Sequence, residues 1–353
     1  MLLYIHIPFC DSKCSYCAFN SYVDKFSLRQ AYMDAMLHQL TYELQRFNVS
    51  PQNPIETVFI GGGTPSTIDP YMYRPIFELI EPYLSEECEI TSEANPNSAT
   101  SSWLEGMFKL GVNRLSFGVQ SFNNEKLKSL GRAHNTGHAI QAIQSASTIG
   151  YQHLSIDLIY AVAGDTKALL QADIAQAFSL PIDHISLYAL TIEEKTAFEK
   201  TPQMAQEELK LTQWLFQQIK ERGFEQYEIS NFGKYRSRHN LGYWEHKDYI
   251  GVGSGAVGFL KDRRFYPSAS VETYIYNPLE IYTEIIESDA LTSEKLFLGF
   301  RSAIGVDETI LDPKQKQKAI MLCDEKLLIY QNNRFFNTDF LLADEIALSV
   351  EGF

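Results

Sequence analysis

The sequence predicts an α/β protein: an open, partial barrel of six βα units, (βα)6, followed by a small α+β module of winged-helix type. Three observations predict it. Apolar β-rich runs alternate with helical runs six times before about residue 225, the pattern of βαβ units and a parallel sheet. Six units are fewer than a closed eight-stranded barrel needs. Beyond residue 225 the alternation stops, and a helix, a short hairpin and a second helix follow. The chain is therefore divided at 1–225 and 226–353.

The elements come in order. A strand over 2–7 runs straight into a cysteine-rich loop, and a helix is expected over 28–47. The next strand, 55–60, ends at Gly61-Gly62-Gly63, with a helix over 71–84 behind it. Strand 89–93 ends at Ala94-Asn95-Pro96, and Gly111 is a natural stop for a helix over 103–110. Strand 113–119, helix 136–148, strand 153–159, helix 167–178 and strand 184–190 complete the alternation. Leu211, Trp214, Leu215 and Ile219 mark one face of a further helix. Residues 226–258 are rich in aromatic residues, glycine and histidine and show no clear period. Residues 312–324 and 339–348 read as helices around strands 327–330 and 334–337, with a turn at Asn332-Asn333.

Bulk composition narrows the function. With 45% hydrophobic and 13% aromatic residues, the 353-residue chain can bury a large core. A net charge of −14 argues against general binding to nucleic acid or an anionic membrane. Lys314, Lys316 and Lys318 form a small basic patch that reads as a solvated helix face. No run approaches the roughly 20 apolar residues of a membrane span. The apolar start, 1–9, lacks a positive segment and a small-residue cleavage site, so it reads as a buried strand and not as a signal peptide. Three of five cysteines fall within eight positions. That is a poor disulfide framework and a good metal site for a reducing, cytoplasmic compartment. Cys88 and Cys323 stand alone and are expected to be buried and inert.

The loop spacing is Cys10-x3-Cys14-x2-Cys17. Three close thiolates with no evident fourth suit an iron–sulfur cubane with one iron left open to an outside ligand. A tetrahedral zinc site would need a fourth ligand, for which His6 is the available candidate, although a histidine inside a strand is more simply a pocket-lining residue. In parallel α/β folds the chemistry gathers at the C-terminal ends of the strands. The cysteines, the triple glycine, Glu93, Gln120 and Asp157 all fall there, which points to one common site. Gly61-Gly62-Gly63-Thr64-Pro65 is no phosphate loop, because no Gly-Lys-[Ser/Thr] follows.

With Tyr16 before the last cysteine, this loop resembles that of the radical-SAM superfamily. The resemblance implies a 4Fe-4S cluster on Cys10, Cys14 and Cys17. It also implies S-adenosyl-L-methionine on the open iron and reductive cleavage of that molecule to methionine and a 5′-deoxyadenosyl radical. The runs Thr91-Ser92-Glu93-Ala94-Asn95-Pro96, Gly118-Val119-Gln120-Ser121-Phe122 and Leu130-Gly131-Arg132 resemble the coproporphyrinogen-oxidase-like subfamily. By that match Tyr4, Gly62, Gly63, Thr64, Glu93, Gln120, Arg132 and Asp157 would line the S-adenosylmethionine site.

The subfamily has an oxidase branch, which decarboxylates coproporphyrinogen III, and a heme-chaperone branch, which carries heme to acceptor proteins. The oxidase loop continues to a fourth cysteine two places on, where this chain has Phe19. The oxidase also has a long segment ahead of the first strand, which here begins at Leu2. His239-Asn240-Leu241-Gly242-Tyr243-Trp244 matches the His-Asn-x-x-Tyr-Trp motif of the chaperone branch. Read from its residues alone, His239 serves equally as an axial heme ligand or as a structural turn under aromatic rings. The resemblance favours heme. It implies a heme chaperone with heme, heme-accepting proteins and an electron donor such as a flavodoxin or ferredoxin as partners, and no expected oxidase activity. One departure is Ala161-Val162-Ala163-Gly164-Asp165-Thr166, where relatives read Gly-Leu-Pro-Gly-Gln-Thr.

Overall fold

The computed structural model describes residues 1–352. Six parallel strands lie side by side in chain order: β1 Leu2–Ile7, β2 Ile55–Gly62, β3 Leu84–Ala94, β4 Arg114–Gln120, β5 His153–Tyr160 and β6 His184–Ala189. The connecting helices are α1 Arg29–Arg46, α2 Pro70–Ile80, α3 Ser101–Lys109, α4 Asn124–Ser129, α5 Thr136–Ile149 and α6 Lys167–Phe178, with α7 Leu209–Lys220 after β6. Alternation along β1 sorts its side chains. Leu3, Ile5 and Ile7 enter the apolar layer shared with α1 residues Met36 and Leu40, while Tyr4 and His6 turn inward, Tyr4 stacking on Phe59 at 6.3 Å.

Polar caps fix where the helices begin. Asp69, Thr100, Asn135 and Thr166 each accept a backbone N–H of the helix that follows, each worth about 1 kcal/mol. The helix expected over 71–84 ends early, at Ile80, because Pro82 has no N–H to continue the helical ladder, and a single 3₁₀ turn over Glu81–Tyr83 follows. The chain then enters β3 at Leu84, five residues before the expected start.

The main sheet continues past residue 225 on both flanks. β7 Glu225–Gln226 and β8 Asn231–Gly233 extend it beyond β6. After α8 Arg238–Trp244, β9 Tyr249–Val252 lies parallel to β1. Antiparallel β10 Gly258–Leu260, β11 Arg263–Pro267 and, after α9 Val271–Tyr276, β12 Ile281–Ile285 complete twelve strands. Ile250, Val252, Val271 and Tyr274 belong to the main apolar core. The sequence showed none of these strands, because runs of two to five residues are too short to display a period.

A second apolar cluster, including Leu296, Phe300, Val306, Phe335 and Ile346, organises the final module. It comprises α10 Ser288–Phe300, β13 Val306–Asp307, α11 Pro313–Asp324, β14 Leu328–Gln331, β15 Arg334–Asn337 and α12 Ala343–Glu351 around a three-stranded sheet. Asn332 and Asn333 both take positive φ, 50° and 59°, as a two-residue hairpin turn requires. The module is tied to the barrel where Ile229 N–H donates to Arg301 O at 2.9 Å. The division at residue 225 stays a proposal; the main sheet itself runs to Ile285. Cys88 is buried, whereas Cys323 is half-buried. No helix among the described residues is long and apolar enough to cross a membrane.

Candidate cofactor site

The loop between β1 and α1 is held by its own backbone. Cys10 N–H donates to Tyr22 O (3.0 Å), Tyr22 N–H to Pro8 O (2.7 Å) and Ser15 N–H to Leu130 O (3.1 Å). Cys10, Cys14 and Cys17 line a cavity of about 530 Å³ at the C-terminal ends of the strands, within the size range of small-molecule sites. Gly62, Gly63, Thr64, Glu93, Gln120, Arg132 and Asp157 line the same cavity. Tyr4 does not: its hydroxyl instead pairs with His6 Nδ1 at 2.9 Å, and it lines a second cavity on the other side.

The triple glycine is dictated by close approach. Gly63 N–H donates to Ile7 O at 2.7 Å and Thr64 N–H to Phe9 O at 2.8 Å. A Cβ on Gly63 would lie 2.8 Å from Ile7 O and 3.0 Å from Cys10 Sγ. Gly62 has φ +109°, and a Cβ there would meet the His6 ring at 2.4 Å. The loop is thereby clamped against the cysteine segment.

One polar chain joins two of the cysteines. Thr64 Oγ1 donates to Cys10 Sγ at 3.4 Å and accepts from Asn95 Nδ2 at 3.1 Å. Arg132 Nη2 donates to Asn95 Oδ1 (2.6 Å) and Gly118 O (2.7 Å), and its Nη1 donates to Cys14 Sγ (3.2 Å). Sequence reasoning quoted Asn95 without giving it a role. Its place directly after the end of β3 was the available signal.

Burial raises the pKa of Glu93 from 4.5 to about 8, helped by the negative charge of Asp157 and opposed by the Gly62 N–H that donates to it. Asp157 is raised for the same leading reason, burial, and opposed by hydrogen bonds from Ser186 and Ser116. Two half-buried carboxylates that resist ionising together form a pocket that favours a cation. Gln120 sits at φ +67° where the β4–β5 register shifts between Gly118 and Gln120. Such bulges and strained residues concentrate at sites.

The residues fit a cubane. Cys10, Cys14 and Cys17 are free thiols lining one cavity, one fewer than the four ligands of a closed zinc site. A cubane instead spreads its thiolates over separate irons. His6, the candidate fourth ligand, has both ring nitrogens engaged, Nδ1 with Tyr4 and Nε2 with Asn20 O at 2.9 Å.

His239, the expected axial heme ligand, lies outside the cysteine cavity. It is fully buried at the start of α8. Its Nδ1 pairs with Thr57 Oγ1 at 2.7 Å, its Nε2 with Tyr243 Oη at 3.0 Å, and its ring stacks on Phe59 at 5.1 Å. Burial, with the nearby Arg114 charge, pushes its pKa down to about 3. Both ring nitrogens are hydrogen-bonded in this arrangement, so ligation of iron by His239 would require one of these bonds to open. Glu89 holds the helix start by accepting from His239 N–H (3.0 Å) and Arg238 N–H (2.9 Å).

Strand order, the cysteine loop and the strand-end residues converge with comparison to known proteins. Residues 4–175 match the family model of the radical SAM superfamily, and the chain belongs to that superfamily. It is 33% identical over 322 residues to the heme chaperone HemW of Bacillus subtilis, covering 86% of this chain and 84% of that one. It is 38% identical over 271 residues to HemW of Haemophilus influenzae, covering 73% and 70%. Within the superfamily, the chain belongs to the HemW family. The coproporphyrinogen III oxidase HemN of Escherichia coli, a radical SAM enzyme, superposes with a TM-score of 0.81 over 99% of this chain and 90% of that one, at 18% identity. That likeness shows the fold.

Proposed function

We propose that this protein is a heme chaperone: it binds heme, carries a 4Fe-4S cluster with S-adenosylmethionine, and delivers heme to acceptor proteins in the cytoplasm. The observation that carries the reading is identity with HemW proteins over most of both chains. In this reading Cys10, Cys14 and Cys17 hold the cluster, and a flavodoxin or ferredoxin supplies its electron. When bound, such a cluster offers an open iron to the amino-acid end of S-adenosylmethionine and supplies the electron that splits its sulfonium bond.

The chain's own residues do the rest. The half-buried backbone of Gly62 and Gly63, clamped against His6 and Cys10, forms the cavity wall that receives the amino-acid end. Glu93 and Asp157 form an acidic pocket for the cationic ligand. Arg132 supplies a fixed positive charge beside Cys14 and, through Asn95 and Thr64, couples its position to Cys10. Gln120 presents its amide from a backbone held in place by the bulge.

The second reading, coproporphyrinogen oxidase, draws on the shared fold. Phe19 stands where that enzyme's fourth cysteine falls and is 69% exposed at the cavity, presenting a ring in place of a thiol. Anaerobic reconstitution followed by parallel assays separates the two. The chaperone reading expects stoichiometric heme binding and no consumption of coproporphyrinogen. Conversion to protoporphyrinogen, or absence of heme binding, overturns it.

A further inference from the structure

The two ends of the main sheet differ. At one end lies β7, two residues long, with Glu225 paired to Arg236 at 2.8 Å. A short, charged end strand offers little backbone for another chain to pair with. At the other end lies β12, Ile281–Ile285, paired on one side only, with β11. Its five pairs, from Arg263↔Ile285 to Pro267↔Ile281, run without a bulge. β12 carries no proline and no lysine, and its one charge is Glu284. No strand among the described residues pairs with its outer edge.

The most exposed apolar side chains gather at this edge. The four most exposed large ones among the described residues are Tyr276 at 89%, Phe19 and Tyr282 at 69% and Ile285 at 67%. Phe19 belongs to the cysteine cavity. The other three lie on β12 and at the end of α9, which leads into it. The ring of Tyr282 sits beside that of Tyr266, with centroids 6.0 Å apart. Exposed apolar side chains together with unpaired strand backbone mark a site of strand addition.

We propose that β12 is an interface between two copies of this chain, paired antiparallel about a two-fold axis through Thr283. The strand is complementary to itself in this register, the one antiparallel register that pairs all five residues. Ile281 falls opposite the partner's Ile285, Tyr282 opposite the partner's Glu284, and Thr283 opposite the partner's Thr283. Side chains alternate faces along a strand. One face is therefore an Ile-Thr-Ile row against its copy, and the other holds two Tyr–Glu pairs. Directly opposed pairs of these kinds stabilise a sheet, whereas an axis through Glu284 would oppose two carboxylates. Glu284 Oε2 accepts from the Tyr266 hydroxyl at 2.7 Å, and Oε1, with no partner among the described residues, is left for the partner's Tyr282. A two-fold contact of this kind closes on itself, giving a dimer and not a filament. The inference is independent of the heme-chaperone reading.

The test is the oligomeric state of the full chain, read by analytical ultracentrifugation across the micromolar range. Wild type is expected to sediment as a concentration-dependent dimer. Thr283→Lys sets two ammonium groups against each other across the axis, and Thr283→Glu two carboxylates. Each variant alone is expected to associate at least tenfold more weakly. Thr283 is exposed, so both variants are expected to keep the wild-type melting temperature of the monomer. Mixed in equal amounts, the two are expected to form a heterodimer, because an axis through Thr283 sets lysine against glutamate. Ile329→Lys, on the free edge strand β14 of the small sheet, is expected to leave the dimer intact. A monomeric wild type, a Thr283→Lys dimer as tight as wild type, a mixture that fails to pair, or dissociation by Ile329→Lys overturns the assignment.

Discussion

Arg132 Nη1 lies 3.2 Å from Cys14 Sγ, while Nη2 of the same guanidinium holds Asn95 Oδ1 at 2.6 Å and Gly118 O at 2.7 Å. Arg132→Met would leave those two acceptors without their donor and remove the cation beside the thiol. The expected cost is about 3 kcal/mol of stability, together with lower iron and sulfide content after anaerobic reconstitution. A variant with full cluster content would show that Arg132 plays no part in holding the site.

Glu93 gives a pH signature. Its pKa rises from 4.5 to about 8 on folding. Between those values the folded state keeps a proton that the unfolded chain releases, so stability without ligand falls as pH rises through that window. Glu93→Gln is expected to flatten this part of the profile in denaturant titrations. A cationic ligand favours ionised Glu93, so S-adenosylmethionine should bind more tightly as pH rises from 6 to about 8. Equal affinity across that range would remove Glu93 from the binding site.

His239→Ala removes the pairings with Thr57 and Tyr243 and the stack on Phe59. Such a buried truncation is expected to destabilise by about 3 kcal/mol. The spectrum of heme on the folded fraction should be unchanged. Loss of axial-histidine features, at full folding, would identify His239 as the ligand.

Ala161 stands where the family motif carries glycine, and its φ is +61°. Left-handed backbone costs an L-residue roughly 1–2 kcal/mol, and the extra freedom of glycine in the unfolded chain returns about 0.4–1 kcal/mol of that. Ala161→Gly should therefore stabilise by about 0.5–1 kcal/mol, read from the denaturation midpoint. A loss of stability would mean that the alanine methyl makes compensating contacts. The neighbouring Asp165 is locked by a buried pair with Lys126 at 2.6 Å, the device this chain uses to hold a loop that lacks the usual glycine and proline.

What the sequence revealed follows from period and spacing. Strands β1 to β6 were legible because each is an apolar run followed by a helical one. Seven of the eight residues expected around S-adenosylmethionine share one cavity because strand ends in a parallel barrel share one rim. Tyr4 escaped that logic: it lies two residues before His6 on the inward face, below the rim. β9 was hidden because four residues containing Gly251 carry no pattern, and only pairing with β1 and β10 makes it a strand. The surroundings of His239 were not legible, because sequence reports a histidine among aromatics and not whether its nitrogens are already bonded. The hydrogen bonds of Arg132 were hidden for the same reason; its partners Asn95 and Gly118 are distant in sequence.

The measurement that bears most directly on function is heme transfer. The anaerobically reconstituted protein, loaded with one equivalent of heme, is mixed with a heme-free acceptor, and the two are separated and scanned. Heme is expected to move to the acceptor, while coproporphyrinogen added with S-adenosylmethionine and reductant stays unconsumed. Heme that never binds or never leaves, or coproporphyrinogen that is decarboxylated, would contradict a carrier role.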